Sequence, residues 1–346
     1  MYSRGIFILL AQGLLVWGKA FAQSSSNTTT TADGDSDNDG MLAYNPNFAG
    51  NLILGILYTL LGLTFSYYCF RHKDKWAICL PIGAIASGIG FYIRLTFDMK
   101  TVQLGPFVLM TCLVVISPST FLAFNYMLYG RFIAAIDPTF GNDTKAGSKM
   151  EKSQFSFIPP RIVGRIFIIS DILTFFIQIT AGGIQSSAGD DNPSLSKVGD
   201  NLFLAGVTGQ GISYLVFTFL LTVAFLRLID DRKRNYPNQL EKGWTGLDMD
   251  TLVIVGGLYI SSVFIIVRSV YRIVEFAQGY NGYLTTHEVF LFILDAAPLV
   301  LAIGVWSLNW PSILLDRIKV QTRAANLEAG GTRVDNRNGN DWMPLV

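Results

Sequence analysis

Residues 252–278 read LVIVGGLYISSVFIIVRSVYRIVEFAQ and decide the fold class of this chain. Leu252 to Val267 carries no charge, and an apolar run of that length predicts a membrane-spanning helix rather than an ordinary core helix. Spacings of three and four put the polar residues that follow on one helix face: Arg268, Tyr271, Arg272 and Glu275. Charged residues inside a span usually face the protein interior or a water-filled cavity. The alternative is an interfacial helix end whose arginines extend to the lipid head groups.

The composition also favours a membrane protein. Hydrophobic residues make up 51% of the 346 residues and charged residues only 15%, whereas a soluble domain has about a quarter charged residues. The mean hydropathy of +0.40 points the same way. The net charge of +1 gives no indication of a nucleic-acid partner.

The first 22 residues have the pattern of a secretory signal peptide. Arg4 precedes a short apolar core, and Ala20-Phe21-Ala22 is a small-x-small cleavage pattern. An uncleaved N-terminal anchor is the alternative. Residues 23–43 are polar and are predicted to form a disordered extracytoplasmic tail. Asn27 in this tail begins a glycosylation sequon, so we expect the protein to be a glycoprotein.

Seven apolar runs within residues 44–315 predict an all-α polytopic membrane protein, a bundle of seven transmembrane helices. The predicted spans are 50–70, 76–97, 104–129, 162–185, 203–226, 252–276 and 288–309. Lys and Arg concentrate in alternate loops and in the C-terminal tail, which places the N-terminus outside and the C-terminus in the cytosol.

The same topology predicts which polar segments lie in the cytosol. Loops 130–161 and 227–251 would be cytosolic and could bind regulatory partners, and residues 316–346 would form a disordered cytosolic tail. A second sequon at Asn142 would then stay unmodified, because it lies on the cytosolic side.

The topology brings arginines and carboxylates of the second, sixth and seventh spans to a similar depth near the outer surface. They are Arg94, Asp98, Arg268, Arg272, Glu275, Glu288 and Asp295. Gln178 and Gln210 are predicted near mid-depth and Asp171 deeper. The inner end of the third span is marked by Asn125, Tyr126 and Arg131.

Two interpretations of these residues remain open. They could line a polar cavity that holds a lipid head group, or they could form interhelical ion pairs that fix the bundle. Asp295, two turns inside the seventh span, needs an arginine, a proton or a cationic ligand to offset its burial. We favour a position on the substrate path, where Asp295→Asn would leave a folded but inactive protein.

Several enzyme classes are excluded by their motifs. The chain has neither a G-x-x-x-x-G-K-[ST] nucleotide loop nor a G-x-S-x-G elbow. Its two histidines, His72 and His287, are too few for a three-histidine zinc hydrolase. Three cysteines lie in apolar runs and suit packing: Cys69, Cys79 and Cys112. We therefore predict a non-enzyme without cofactor or metal.

The run RSVYRIVEFAQGYNGYLTTHEVFLFILDAAPL, from Arg268 to Leu299, resembles the most recognisable motif of the fungal RTA-like lipid-translocating exporter family. The matching residues are Arg268, Tyr271, Arg272, Glu275, Gly279, Glu288 and Asp295. Shorter matches in the same order are Gly90 to Arg94, Ser117 to Arg131, Asp171 to Gly183, and Gly209-Gln210. The chain departs from the family where a Glu usually precedes G-Y-x-x-R, because Ala86, Ser87 and Gly88 stand there.

This resemblance implies a seven-span fungal membrane protein. Family members are linked to release or flipping of sphingoid long-chain bases, to resistance against toxic lipids and drugs, and in one branch to porphyrin movement. We therefore expect a transporter or exporter of amphiphilic lipids in the plasma membrane, reached through the secretory pathway. The alternatives are a receptor-like sensor and a regulator of membrane lipid asymmetry.

Overall fold

The computed structural model describes residues 46–97, 104–137, 155, 159–188, 193–235, 247–278, 283–322 and 324. The predicted signal peptide, the N-terminal tail and most of the C-terminal tail lie outside the described residues. Both sequon asparagines, Asn27 and Asn142, and Asp98 of the predicted charged set lie outside them as well.

Helices account for nearly all of the described chain, and no strand occurs in it. The first seven helices are α1 (Phe48–His72), α2 (Cys79–Arg94), α3 (Leu104–Ile136), α4 (Pro160–Ala188), α5 (Pro193–Asn235), α6 (Met249–Gln278) and α7 (Glu288–Leu308). A single helical turn, Tyr283–Thr286, precedes α7, and α8 covers 311–322. The prediction of an all-α bundle is confirmed.

Six of these helices, α1 and α3 to α7, are long and apolar enough to cross a membrane. Helix α2 has 16 residues, a length of about 24 Å against about 30 Å for a hydrocarbon core. It is shorter than the predicted span 76–97 because residues 74–78 form turns and because the helix ends at Arg94. The seven-span count and the orientation of the termini therefore stay predictions.

Three predicted boundaries need correction. Helix α3 continues to Ile136 and α5 runs from Pro193 to Asn235, so both enter the segments predicted as loops 130–161 and 227–251. Asn125 and Tyr126 consequently lie well inside α3 and not at its inner end. Helix α8 crosses the predicted tail boundary at 316. Hydropathy detects only the apolar part of a helix, and polar turns continue it beyond the apolar run.

Small residues let α2 approach both of its neighbours. A Cβ added at Gly88 would lie 2.9 Å from Thr59 Oγ1 of α1, and one added at Gly62 would lie 2.8 Å from Ile85 of α2. On the other side, Gly83 lies directly against Thr120 of α3. Close approach through small residues is typical of helices packed in membranes.

Aromatic side chains fill the centre of the bundle, and aliphatic ones cover its outside. Tyr126, Phe217 and Trp306 are fully buried. Large apolar side chains such as Leu63, Ile169 and Phe219 are exposed on the outward faces. An apolar outer surface of this extent is unusual for a soluble protein and suits contact with lipid.

Candidate functional site

Three helices, α2, α6 and α7, bring charged side chains together at one end of the bundle, beside the start of α1. The N-terminal ends of α1 and α7 lie beside the C-terminal ends of α2 and α6. We call the following residues the ion-pair cluster: Arg94, Arg268, Tyr271, Arg272, Glu275, Glu288 and Asp295. It contains every charged residue that the sequence placed in this set, apart from Asp98.

Asp295 of α7 is bound by two arginines of α6. Arg272 Nε and one terminal nitrogen donate to the two Asp295 oxygens at 2.7 and 2.6 Å. Arg268 Nε lies 3.0 Å from Asp295 Oδ1. The side chains of Arg272 and Asp295 are only 14% and 5% exposed. Arginine thus offsets the burial of this aspartate, which supports the ion-pair interpretation at this position.

Glu275 completes the polar face of α6. Tyr271 donates its hydroxyl to Glu275 Oε1 at 3.2 Å, and Arg272 donates to Oε2 at 3.1 Å. These contacts join residues three and four apart, the spacing from which one helix face was predicted. Arg268 and Arg272 of that face contact α7, and Tyr271 and Glu275 are linked to Arg272 within α6.

Glu288 ties the start of α7 to α1 and α2. Its carboxylate accepts from the Asn47 backbone N–H at 2.6 Å and from Asn51 Nδ2 at 2.8 Å. Arg94 Nε of α2 lies 3.3 Å from Glu288 Oε1. Residue spacing did not predict the two asparagine partners of Glu288. Asn47 before an apolar run is a helix N-cap signal, and its side chain does cap α1 at Gly50.

A π-helical segment, Leu291–Ala296, carries Asp295. The wider turn lies just ahead of Pro298, which lacks a backbone N–H to donate. Tyr58 of α1 donates its hydroxyl to the Ala296 carbonyl at 3.0 Å. π-Helical turns inside α-helices occur frequently at functional sites. This turn and its Tyr58 contact set the direction of Asp295, and hydrophobic periodicity could not have indicated either.

Within the described part of the chain, the ion-pair cluster is electrically balanced. Three arginines face three carboxylates, and each carboxylate contacts at least one arginine. A charged head group that bound here would exchange with one member of an existing ion pair. The cluster can bind a cation through a carboxylate or an anion through an arginine.

The structure does not bring Asp171, Gln178 and Gln210 into this cluster. Gln210 of α5 donates to Ser119 Oγ of α3 at 2.9 Å. Gln178 of α4 is buried against Gly206 of α5. Asp171 of α4 is buried beside Tyr126 of α3. No described hydrogen bond or ion pair links any of the three to the cluster.

A buried hydrogen-bond network joins α3, α5 and α6, and the sequence did not predict it. Asn125 Nδ2 donates to Tyr214 Oη and to Ser261 Oγ, both at 2.9 Å. The Tyr214 hydroxyl also contacts Ser262 Oγ at 3.1 Å. Isolated serines in an apolar helix carry little sequence signal, so their convergence emerges only from the helix packing.

The opposite end of the bundle is held by an aspartate and aromatic side chains. Asp74 accepts hydrogen bonds from Trp310 Nε1 and Ser312 Oγ, each at 2.8 Å. Arg131 lies over the Trp76 ring at 4.8 Å from its centroid. In the described part of the chain, no group of three or more His, Cys, Asp or Glu side chains could hold a metal ion.

Comparison with known proteins identifies the family. Residues 80–142 and 144–318 match the family described as RTA1 like protein. The chain therefore belongs to the RTA1-like family, and with six helices of spanning length it is an integral membrane protein. No solved structure matches it.

The chain is similar to three named fungal proteins. The chain is 27% identical over 229 residues to the protoporphyrin uptake protein 1 of Saccharomyces cerevisiae, covering 66% of each protein. It is 25% identical over 288 residues to a sphingoid long-chain base transporter of Saccharomyces cerevisiae, covering 74% of this chain and 69% of the relative. It is 22% identical over 274 residues to a probable lipid transporter of Emericella nidulans, covering 79% and 67%.

Proposed function

We propose that this chain is a non-enzymatic transporter that moves amphiphilic lipids, and sphingoid long-chain bases in particular, across the plasma membrane. The observation that carries the proposal is the balanced ion-pair cluster, buried at one end of an apolar bundle. The names of two relatives, a sphingoid long-chain base transporter and a probable lipid transporter, support the lipid as substrate.

The chemistry of a sphingoid base suits exchange with one ion pair. Its head group carries an amine and hydroxyl groups, and its hydrocarbon tail can remain in the surrounding lipid. Glu288 is the carboxylate most suited to the amine. Its ion pair with Arg94 spans 3.3 Å, whereas Arg272 contacts Asp295 at 2.6 Å. Its asparagine donors are uncharged and can stay in place when the amine replaces Arg94.

The other residues of the predicted site take different parts in this proposal. Asp295 and four residues of α6 would form the side of the site that faces Glu288. The α6 residues are Arg268, Tyr271, Arg272 and Glu275. Gln178 and Gln210 lie along α4 and α5, where they would line the path beyond the head-group site, and Asp171 of α4 would lie beside that path. Polar segments within 130–161 and 227–251 are proposed as contacts for cytosolic regulators.

Purified protein reconstituted in liposomes tests the proposal. We expect the protein to speed the movement of a labelled long-chain base between leaflets, and Glu288→Gln to abolish most of that rate. The matched control is Asp250→Asn at the other end of the bundle, where the Asp250–Arg317 ion pair is 3.6 Å long. Size-exclusion profiles must show that both variants are folded. Wild-type protein that leaves the rate unchanged would contradict the proposal and favour a sensor or regulator.

Porphyrin movement is the second candidate, because one relative is named for protoporphyrin uptake. Porphyrin propionates are anions, so a propionate would replace a carboxylate as the partner of an arginine. A lipid amine would instead replace an arginine as the partner of a carboxylate. Labelled protoporphyrin in the same liposomes distinguishes the two substrates. If the substrate is a porphyrin, Arg94→Gln would slow its movement more than Glu288→Gln does. A larger effect of Glu288→Gln would indicate that the substrate binds through an amine.

A further inference from the structure

A second buried carboxylate, Asp171 of α4, lies outside the ion-pair cluster. The residue is 3% exposed, and within the described part of the chain neither carboxylate oxygen has a hydrogen bond of good geometry. None of the described ion pairs includes Asp171. A carboxylate buried without a cation or hydrogen-bond donors is strongly disfavoured in its ionised form.

The titratable groups that face Asp171 from neighbouring helices are tyrosines. Tyr126 of α3 places its hydroxyl beside the carboxyl group, and Tyr214 of α5 lies close by. Both tyrosines are fully buried. The Tyr126 hydroxyl has no hydrogen bond of good geometry among the described residues. Among the described residues, neither group supplies a positive charge to Asp171, which leaves a proton to neutralise the carboxylate.

A proton on Asp171 removes the buried charge and still allows a hydrogen bond with Tyr126. The carboxylic acid can donate its O–H to the Tyr126 oxygen, or accept from the Tyr126 O–H through its carbonyl oxygen. Each arrangement removes the charge and gives two buried groups a partner. Asp171 is therefore suited to bind and release protons, a chemistry that the arginine-paired carboxylates cannot perform.

The surroundings of Asp171 connect it to the helix that bears the ion-pair cluster. Tyr214 contacts Ser262 of α6, and Arg268 lies six positions after Ser262, about 9 Å along a helix. Near Asp171, α4 packs on two glycines of α5. A Cβ added at Gly209 would lie 3.3 Å from Thr174, and one added at Gly206 would lie 2.8 Å from Gln178. Close approach through small residues is typical of helices packed in membranes.

We propose that Asp171 is a proton-binding site that couples lipid movement to a proton gradient. A proton from one aqueous side converts the Asp171 carboxylate to the carboxylic acid. The same proton leaves to the other side after α4 shifts against α5, and the Tyr214–Ser262 contact passes the shift to α6. The coupling rests on the proposed transport function, whereas proton binding at Asp171 does not.

Infrared spectroscopy of the full-length protein in liposomes tests the proton site without any transport. We expect a carbonyl band of a protonated carboxyl group that is absent in Asp171→Asn. It should persist in the surface control Asp230→Asn, whose ion pair with Arg234 is exposed. Tyr126→Phe should shift the band, because it removes the neighbouring hydroxyl. A band that Asp171→Asn leaves unchanged would overturn the proton site.

Accumulation of labelled long-chain base under an imposed pH difference tests the coupling. One proton per lipid supports about tenfold accumulation for each pH unit. We expect wild type and Asp230→Asn to accumulate the lipid, and Asp171→Asn to equilibrate it without accumulation. Accumulation by Asp171→Asn equal to wild type would overturn the coupling. Wild-type protein that moves no lipid at any pH would overturn the proposed function and the coupling together, while the infrared result still decides the proton site.

Discussion

Arg272 and Asp295 share two parallel charge-assisted hydrogen bonds of 2.7 and 2.6 Å across the contact between α6 and α7. Arg268 adds a second cation at 3.0 Å from the same carboxylate. Asp295 is therefore the centre of the ion-pair cluster, whereas Glu275 contacts a single arginine. This asymmetry separates the expected effects of substitutions that otherwise look equivalent.

Asp295→Asn should destabilise the protein more than Glu275→Gln. The first change deprives Arg268 and Arg272 of their shared carboxylate, and breaking a buried pair costs about 3–5 kcal/mol because a charge is stranded. The second leaves Arg272 bound to Asp295. Thermal unfolding in detergent and surface abundance measure the difference, with Asp250→Asn as the control. Equal losses would refute the central position of Asp295, and normal abundance of Asp295→Asn without activity would restore the substrate-path interpretation.

Arg272→Leu should be rescued by neutralising Glu275 and not by neutralising Glu288. Without Arg272, Asp295 keeps Arg268, but Glu275 keeps only the Tyr271 hydroxyl. Coupling energies between residues in one network are about 0.5–3 kcal/mol. Thermal unfolding of Arg272→Leu/Glu275→Gln should therefore recover part of the loss. Arg272→Leu/Glu288→Gln should unfold at a lower temperature than the single variant, because it also removes the carboxylate charge that faces Arg94.

Adjacent glycines of α6 should respond oppositely to a methyl group. A Cβ at Gly257 would lie 2.7 Å from the Trp306 ring of α7, whereas a Cβ at Gly256 would meet nothing within 4 Å. Gly257→Ala should cost about 1–3 kcal/mol through overpacking, and Gly256→Ala should be neutral or stabilising, since Ala favours a helix. Unfolding temperatures of the two variants provide the comparison. A loss that is the same for both would refute this packing of α6 on α7.

Glycosylation should report the proposed topology. The signal-peptide pattern and the loop charges place Asn27 outside and Asn142 in the cytosol. Glycosidase treatment should increase the gel mobility of the wild-type protein and of Asn142→Gln, but not that of Asn27→Gln. A glycan that depends on Asn142 would invert the orientation.

The sequence alone determined the membrane class, the approximate positions of the spans and the face of α6 that carries charge. Apolar run length and residue spacing are local properties, so they can be read without knowing which helices touch. The expected meeting of α6 with α7 was also correct, because Arg272 pairs with Asp295. Helix ends were less predictable, because α3 and α5 continue through polar turns that hydropathy assigns to loops.

Only the tertiary structure decided which partner each polar residue finds. Asp171 and Asp295 look alike in the sequence, as single aspartates inside apolar helices. Packing gives Asp295 two arginines from α6 and gives Asp171 a tyrosine hydroxyl from α3. The physical reason is that an ion pair depends on the rotation and depth of two separate helices. Those follow from close glycine contacts, from the π-helical turn of α7 and from hydrogen bonds between residues far apart in the chain.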